Sequence, residues 1–252
     1  MGTIVAIGGG SIRNRETEPI DREIIRLTGK SQPRALFVPT ASGDSARYCR
    51  QFQHAYGDTY GCFTDELLLL GSAPDATLVR DKIACADIVY VGGGNTLKMM
   101  RRWRRLGVDG LLRKAFDRGA VFCGVSAGAI CWFERGHSDS MAYYDSERWD
   151  YIAVTGLGLV KGMACPHYNG RTYNVPRRRD FRAMMRRKGG CGLGIDNHCA
   201  VVFSDVGYRV LKTKERSGAH ALWIQGGELM ERKLATTAEY LPIESMFESV
   251  GR

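Results

Sequence analysis

Val121 to Ala129 read VFCGVSAGA, an apolar run that leads into Gly124-Val125-Ser126-Ala127-Gly128 and then into Ala129, Ile130, Cys131 and Trp132. A G-x-S-x-G between a strand and a helix asks for small neighbours, because the serine occupies a strained turn that lifts its Oγ clear of the sheet. Gly124, Ala127 and Gly128 meet that need. The residue after the serine, Ala127, offers its N–H at the start of a helix, where partial positive charge favours a developing oxyanion. A second donor must come from another loop, and Gly94, at the end of the run Ile88 to Val91, is the candidate. The stretch therefore predicts an α/β protein that carries a nucleophile on a strand-to-helix turn.

Outward from this turn the same organisation repeats. Thr3 to Ile7, Ala35 to Val38, Glu66 to Leu70, Ile88 to Val91 and Ala120 to Cys123 are short apolar runs, each followed by a polar or Gly-rich turn and then a helical pattern. Runs that are apolar almost throughout suit central strands of a mostly parallel sheet flanked by helices on both faces, a three-layer α/β arrangement. Helices are expected over Pro19 to Leu27, Asp44 to Tyr56, Thr96 to Arg105, Asp109 to Arg118, Arg178 to Arg187 and Ala238 to Phe247. Beyond Cys191 the shorter runs Ala200 to Phe203, Tyr208 to Leu211 and Ala221 to Ile224 read as an antiparallel C-terminal edge. No Pro/Ser-rich linker interrupts the chain, so residues 1–252 read as a single domain. IVAIGGGS (Ile4 to Ser11) and IVYVGGGN (Ile88 to Asn95) echo one another, each a strand running into three glycines that let a ligand approach backbone N–H groups. Neither completes the dinucleotide-binding pattern G-x-G-x-x-G, since Arg13 and Leu97 stand where its last glycine belongs.

With 44% hydrophobic and 25% charged residues in 252, the composition is that of a globular protein and excludes disorder, collagen and coiled coil. Ala120 to Phe133 is the longest uncharged apolar stretch and is too short for a membrane span. The N-terminal MGTIVAIGGG lacks a basic n-region, so a cytoplasmic location is expected, with no membrane partner. Eight scattered cysteines read as reduced thiols. No C-x-x-C occurs, and Cys165 with His167 or His198 with Cys199 falls short of a structural zinc set, so no metal and no cofactor are expected. The net charge of +9 gathers at Arg101 to Arg105, Arg113, Lys114, and Arg177 to Lys188. These read as solvated helix faces, and nucleic acid is not an expected partner. A homodimer is left open.

A serine hydroxyl needs a general base within hydrogen-bond reach, and histidine suits the task best. Of five histidines, His167 lies in Met163-Ala164-Cys165-Pro166-His167-Tyr168-Asn169, just after the apolar run Leu157 to Val160, where a strand should end. That would bring it to the sheet edge shared with Ser126. His54 and His137 sit in helical or polar settings, while His198 and His220 border the C-terminal strands.

These residues together resemble peptidase family S51, the peptidase E (α-aspartyl dipeptidase) and cyanophycinase group. The resemblance rests on Ala35-Leu36-Phe37-Val38-Pro39-Thr40-Ala41, Val91-Gly92-Gly93-Gly94-Asn95-Thr96, Gly124 to Ala129, Pro166-His167-Tyr168, and Gly192-Leu193-Gly194-Ile195-Asp196. It implies a fold related to class I glutamine amidotransferases, with serine replacing their cysteine, and hydrolysis of small peptides without cofactor. Ser126 would be the nucleophile, His167 the base, and Gly94 with Ala127 the oxyanion donors. Asp139 corresponds best to the aspartate of the triad, with Glu134, Asp145 and Glu147 as rivals. Asp196 is followed by Asn197 where many relatives have Glu, and no role attaches to it. The peptidase E members also imply an arginine beyond the histidine that pairs with an N-terminal aspartate of the substrate, and Arg171, Arg177, Arg178 and Arg179 lie in that region. A serine dipeptidase acting on an acidic first residue is the leading expectation. Cyanophycinase-like hydrolysis, and a non-catalytic anion-binding member of the fold, are the alternatives.

Overall fold

The structure is a computed structural model that describes residues 2–71 and 74–248. In chain order, β1 (Thr3–Ile7), α1 (Glu18–Leu27), β2 (Arg34–Val38), α2 (Ala46–Phe52, extended by a π-helical stretch Gln53–Thr59), β3 (Phe63–Glu66), α3 (Ala76–Cys85), β4 (Ile88–Val91), α4 (Thr96–Leu106), α5 (Val108–Asp117), β5 (Val121–Val125) and the one-turn α6 (Ala127–Ile130) make up the first half. There follow β6 (Phe133–Ser138), β7 (Ile152–Thr155), β8 (Val160–Pro166), β9 (Arg171–Thr172), β10 (Val175–Pro176), α7 (Arg177–Lys188), β11 (Cys191–Ile195), β12 (Cys199–Ser204), β13 (Gly207–Lys212), β14 (Ala219–Gln225) and β15 (Glu228–Lys233).

A seven-stranded sheet has the order β13-β12-β1-β5-β4-β2-β3. Its β1, β5, β4, β2 and β3 are mutually parallel, and β12 and β13 extend it antiparallel at one side. This is the mostly parallel sheet with an antiparallel C-terminal edge that the sequence predicts, except that the run Ala221 to Ile224, expected in that edge, lies in β14 and pairs with β11 in another sheet. A second, six-stranded sheet, β15-β14-β11-β8-β6-β7, is an addition that the sequence pattern does not reveal. Within it β6, β8 and β11 run parallel.

Two apolar layers cover the seven-stranded sheet. On one face Val5, Ile7, Phe37, Tyr90 and Val125 pack against Ile20 and Ile24 of α1 and Phe52 and Tyr56 of the α2 region. Pro at the start of α1 and Ser45 capping Tyr48 N–H begin these helices cleanly. On the other face Ile4, Val91, Phe122 and Val201 join residues of the second sheet such as Ala164 and Leu193 in one continuous core. Burial of this extent, at roughly 25 cal/mol per Å² of apolar surface, is the main force holding the two sheets together.

Two expected elements lie elsewhere. The strand expected over Glu66 to Leu70 ends at Glu66, because the Asp44 carboxylate takes the Leu69 and Leu70 N–H groups at 2.7 and 2.5 Å and removes them from any ladder. The helix expected over Ala238 to Phe247 is a single 3-10 turn at Glu244–Phe247, since Pro242 has no N–H to donate and Leu241 pairs instead with Tyr208. Among the described residues no helix is long and apolar enough to cross a membrane.

Candidate active site

Ser126 stands between β5 and α6 with φ 59° and ψ −111°, a conformation that L-residues adopt at a cost of about 1–3 kcal/mol. The cost is met by pinning on both sides. Its N–H donates to the Ile7 carbonyl at 3.1 Å, and its own carbonyl accepts from Ala129 and Ile130. The neighbouring glycines are required by space, for a Cβ at Gly124 or Gly128 would strike the Gly128 or Val91 backbone. The hydroxyl side is half-exposed.

His167 arrives from the other sheet. It follows β8 with φ 55°, and its N–H donates to the Gly8 carbonyl at 2.9 Å. The nucleophile and base candidates are thus held by consecutive carbonyls, Ile7 and Gly8, at the C-terminal end of β1. A side chain at Gly9 would overlap the His167 ring and the Asn197 amide, so glycine there is what allows the imidazole to lie close to β1. Among the described residues no hydrogen bond joins the Ser126 hydroxyl to the ring, as is common before substrate tightens such contacts.

The ring's Nδ1 meets Asn197 Oδ1 at 2.6 Å. Asn197 is itself fixed, since its backbone N–H and its Nδ2 both donate to Asn169 Oδ1, at 2.9 and 3.2 Å. With Nδ2 acting as donor there, Oδ1 is the acceptor toward His167, so Nδ1 carries the proton and Nε2 keeps its lone pair. Burial, with the charge of Arg177 adding to it, lowers the His167 pKa to about 4 against the opposing hydrogen bond that the ring donates to Asn197. The imidazole is therefore neutral at neutral pH.

Asp139 is not at the ring. Its Oδ2 accepts from Thr172 Oγ1 at 2.8 Å and from the buried guanidinium of Arg177, which also lies over Tyr151. Of the rivals, Glu134 is engaged with Gly162 N–H and Asp145 with the N–H groups of Glu147 and Arg148, while Glu147 is exposed. An amide thus stands where the sequence reading expects a carboxylate. Asn197 was legible only with knowledge that β8 and β11 pair in parallel, which sets Pro166 beside Ile195 and hence His167 beside the chain that follows β11.

Gly94, with φ 139°, packs so closely on the Ala41 carbonyl that no side chain fits, and Asn95 N–H donates to the same carbonyl at 2.8 Å. Its neighbour Gly93 faces the Ser126 Cβ. The amides of Gly94 and Ala127 donate to no partner among the described residues. Ser140 ties this loop to the segment after β6, its Oγ accepting from Leu97 N–H at 3.0 Å and its carbonyl from Asn95 Nδ2 at 3.3 Å.

A cavity of about 620 Å³ opens beside His167 and Asn197, walled by Asp139, Tyr143, Arg171 and Arg177 among others. The four arginines singled out in the sequence divide here, with Arg179 exposed near the start of α7 and outside the cavity lining. Arg171 is exposed and faces this cavity, and its guanidinium makes no ion pair or hydrogen bond among the described residues. Arg177 is committed to Asp139, and Arg178 pairs with Glu231 at 2.6 Å away from the cavity. A second group of chemistry-bearing side chains, Cys165 Sγ 3.5 Å from His137 Nδ1 and His137 Nε2 2.9 Å from Asp180, is sealed: both Cys165 and His137 are fully buried, and burial raises the thiol's pKa far above the usual range. It braces β8 from behind rather than facing substrate. Among the described residues no cluster of His, Cys, Asp and Glu is arranged to hold a metal.

The family model for peptidase family S51 matches residues 4–211. The chain is 35% identical over 244 residues to the Bacillus subtilis (strain 168) protein named uncharacterized peptidase YgaJ, which covers 96% of this chain and 100% of that one. It is 36% identical over 88 residues to peptidase E of Citrobacter koseri, a stretch covering 34% of this chain and 36% of that protein. In fold it is similar to the crystal structure of a peptidase from an acI-B1 actinobacterium, with a TM-score of 0.74 at 18% identity over 96% of this chain and 97% of that one.

Proposed function

The chain belongs to peptidase family S51, and on that premise we propose that it is a serine peptidase that hydrolyses small peptides through Ser126, His167 and Asn197, with preference for an acidic first residue. The observation that carries this reading is the pinning of Ser126 and a neutral, tautomer-fixed His167 to adjacent carbonyls of β1.

In the first half-reaction the Ser126 Oγ–H gives its proton to His167 Nε2 as Oγ bonds to the scissile carbonyl carbon. The N–H groups of Gly94 and Ala127 hold the oxyanion, and because α6 is only one turn long these individual donors matter more than any helix dipole. The tetrahedral adduct collapses, the C–N bond breaks, and the imidazolium hands its proton to the departing amine. Water, deprotonated by the same ring, then attacks the acyl-enzyme and releases Ser126. Asn197 serves the part that asparagine plays in the Cys-His-Asn peptidases, orienting the ring without adding charge. The unpaired guanidinium of Arg171 suits a bidentate hold on a substrate carboxylate.

The test joins fluorophosphonate labelling to a panel of dipeptides with Asp, Glu, Arg or Leu at the first position. Labelling that vanishes in Ser126→Ala, and turnover favouring Asp and Glu that Arg171→Gln abolishes, are the expected results. Persistent turnover in Ser126→Ala overturns the mechanism. Equal turnover of all four dipeptides overturns the acidic preference alone.

A further inference from the structure

A second cavity, of about 330 Å³, lies between the loop that leaves β1 and the outer face of α2. Arg13 and Arg15 come from the loop, and Arg47, Arg50 and His54 from one face of α2 and its π-helical extension. No lining residue is an aspartate or glutamate. Arg15 is paired with Glu18 at 2.6 Å and His54 with Asp58 at 3.2 Å, whereas the guanidinium groups of Arg13, Arg47 and Arg50 make no ion pair or hydrogen bond among the described residues. Several other arginines that lie near one another are absorbed by the fold. Arg102 and Arg104 donate to the Leu69 and Thr155 carbonyls, and Arg113 to that of Leu157.

Three unpartnered guanidiniums around one concavity repel one another, and the positive potential they focus is relieved by a bound anion. Planar guanidinium forks match carboxylate and phosphoryl oxygens in bidentate fashion, and one small ligand with several such groups can engage all three. The cavity shares no lining residue with the one beside His167. It nevertheless starts near the same edge of the sheet: Arg13 lies three residues beyond Gly10, and Tyr48, adjoining Arg47, hydrogen-bonds the Gly93 backbone.

We propose that this groove binds a small ligand carrying two or more oxyanion groups, carboxylate or phosphoryl, at a site separate from the His167 cavity. The proposal stands independently of the peptidase reading, because none of its residues takes part in that chemistry.

The experiment is calorimetric titration of the full chain with citrate and, separately, with tripolyphosphate. Saturable one-to-one binding is expected, weakened about tenfold by Arg47→Gln and by Arg50→Gln, the loss of one charge-assisted contact. Arg101→Gln, which removes the same charge from α4, leaves it within about twofold, and so does Arg171→Gln. Tighter citrate identifies a carboxylate site, and tighter tripolyphosphate a phosphoryl site. Should an α2 variant fail to fold, Arg13→Gln on the loop gives the same reading. The proposal is overturned if neither anion saturates the protein at millimolar concentration. It is also overturned if Arg101→Gln weakens binding as much as Arg47→Gln, or if Arg171→Gln is the variant that abolishes it.

Discussion

Replacing Asn197 by aspartate changes the charge at His167 and almost nothing else. The two side chains have the same shape, and the new carboxylate oxygen takes the place of Oδ1, 2.6 Å from Nδ1. A unit charge about 4 Å from the centre of the imidazolium is worth about 4 kcal/mol at an effective dielectric of about 20. That corresponds to an upward move of about 3 in pKa. Desolvation of the carboxylate opposes it, so the expected change is about 1 to 3, the range seen for a carboxylate beside a cation. His167 starts at about 4, and in Asn197→Asp it should reach about 5 to 7. One contact is lost, because the carboxylate cannot donate to Asn169 Oδ1 as the amide does at 3.2 Å, at a cost of about 1 kcal/mol in stability. The assay is the rate of fluorophosphonate labelling of Ser126 between pH 3 and 9. The acid limb reports the ring, and it should move to higher pH. The plateau should rise about tenfold or more as the imidazolium formed in the transition state gains a counter-charge. A limb that stays where it is in the parent protein, with labelling intact, would refute the assignment of Asn197 as the partner of His167.

Ser126→Gly removes the proposed nucleophile and the backbone strain at φ 59° together. It should abolish labelling while raising stability by about 1 kcal/mol, seen as a rise of about 2–4 °C in melting temperature. Asp139→Asn leaves the buried Arg177 without a counter-charge, so urea denaturation should show a loss of about 3–5 kcal/mol, a much larger effect than Glu147→Gln at the exposed surface. Burial raises the pKa of Asp21 to about 7 despite hydrogen bonds from Thr17 and Tyr56. The folded protein therefore holds this proton more tightly than the unfolded chain, and the stabilisation, present below about pH 4, is lost as pH rises through 7. In Asp21→Asn that decline with pH should flatten by up to about 4 kcal/mol in stability-versus-pH measurements. Of the eight cysteines only Cys85 is exposed, so a thiol reagent applied to the native protein should titrate one group fast, and Cys165 only on unfolding.

The turn at Ser126 was legible because its requirements are local: a Cβ at residue 124 or 128 would meet the Gly128 or Val91 backbone, so glycine is needed on both sides of the bend. The parallel strands β1, β4 and β5 were legible for the same reason, as apolar runs ending in glycine. What stayed hidden was pairing between distant segments. The second sheet depends on β8 meeting β11 and β11 meeting β14, and no pattern within one strand specifies its neighbour. The mismatch at Asp139 follows from this, since residue order offered a carboxylate between serine and histidine, while the contact at the ring comes from the far side of β11. The misplaced strand near Leu67 has a similar origin. A single side chain, Asp44, takes over the N–H groups of Leu69 and Leu70 from more than twenty residues away.

The end of β1 has an effect that reaches past its few residues. Because two successive peptide units, those of Ile7 and Gly8, anchor the hydroxyl-bearing bend and the imidazole-bearing one, Ser126 and His167 share a single datum although they belong to different layers of the molecule. The same economy makes this corner intolerant: a methyl group added at residue 8 or 9 meets the backbone after β11 or the imidazole itself, and would disturb both partners in one stroke.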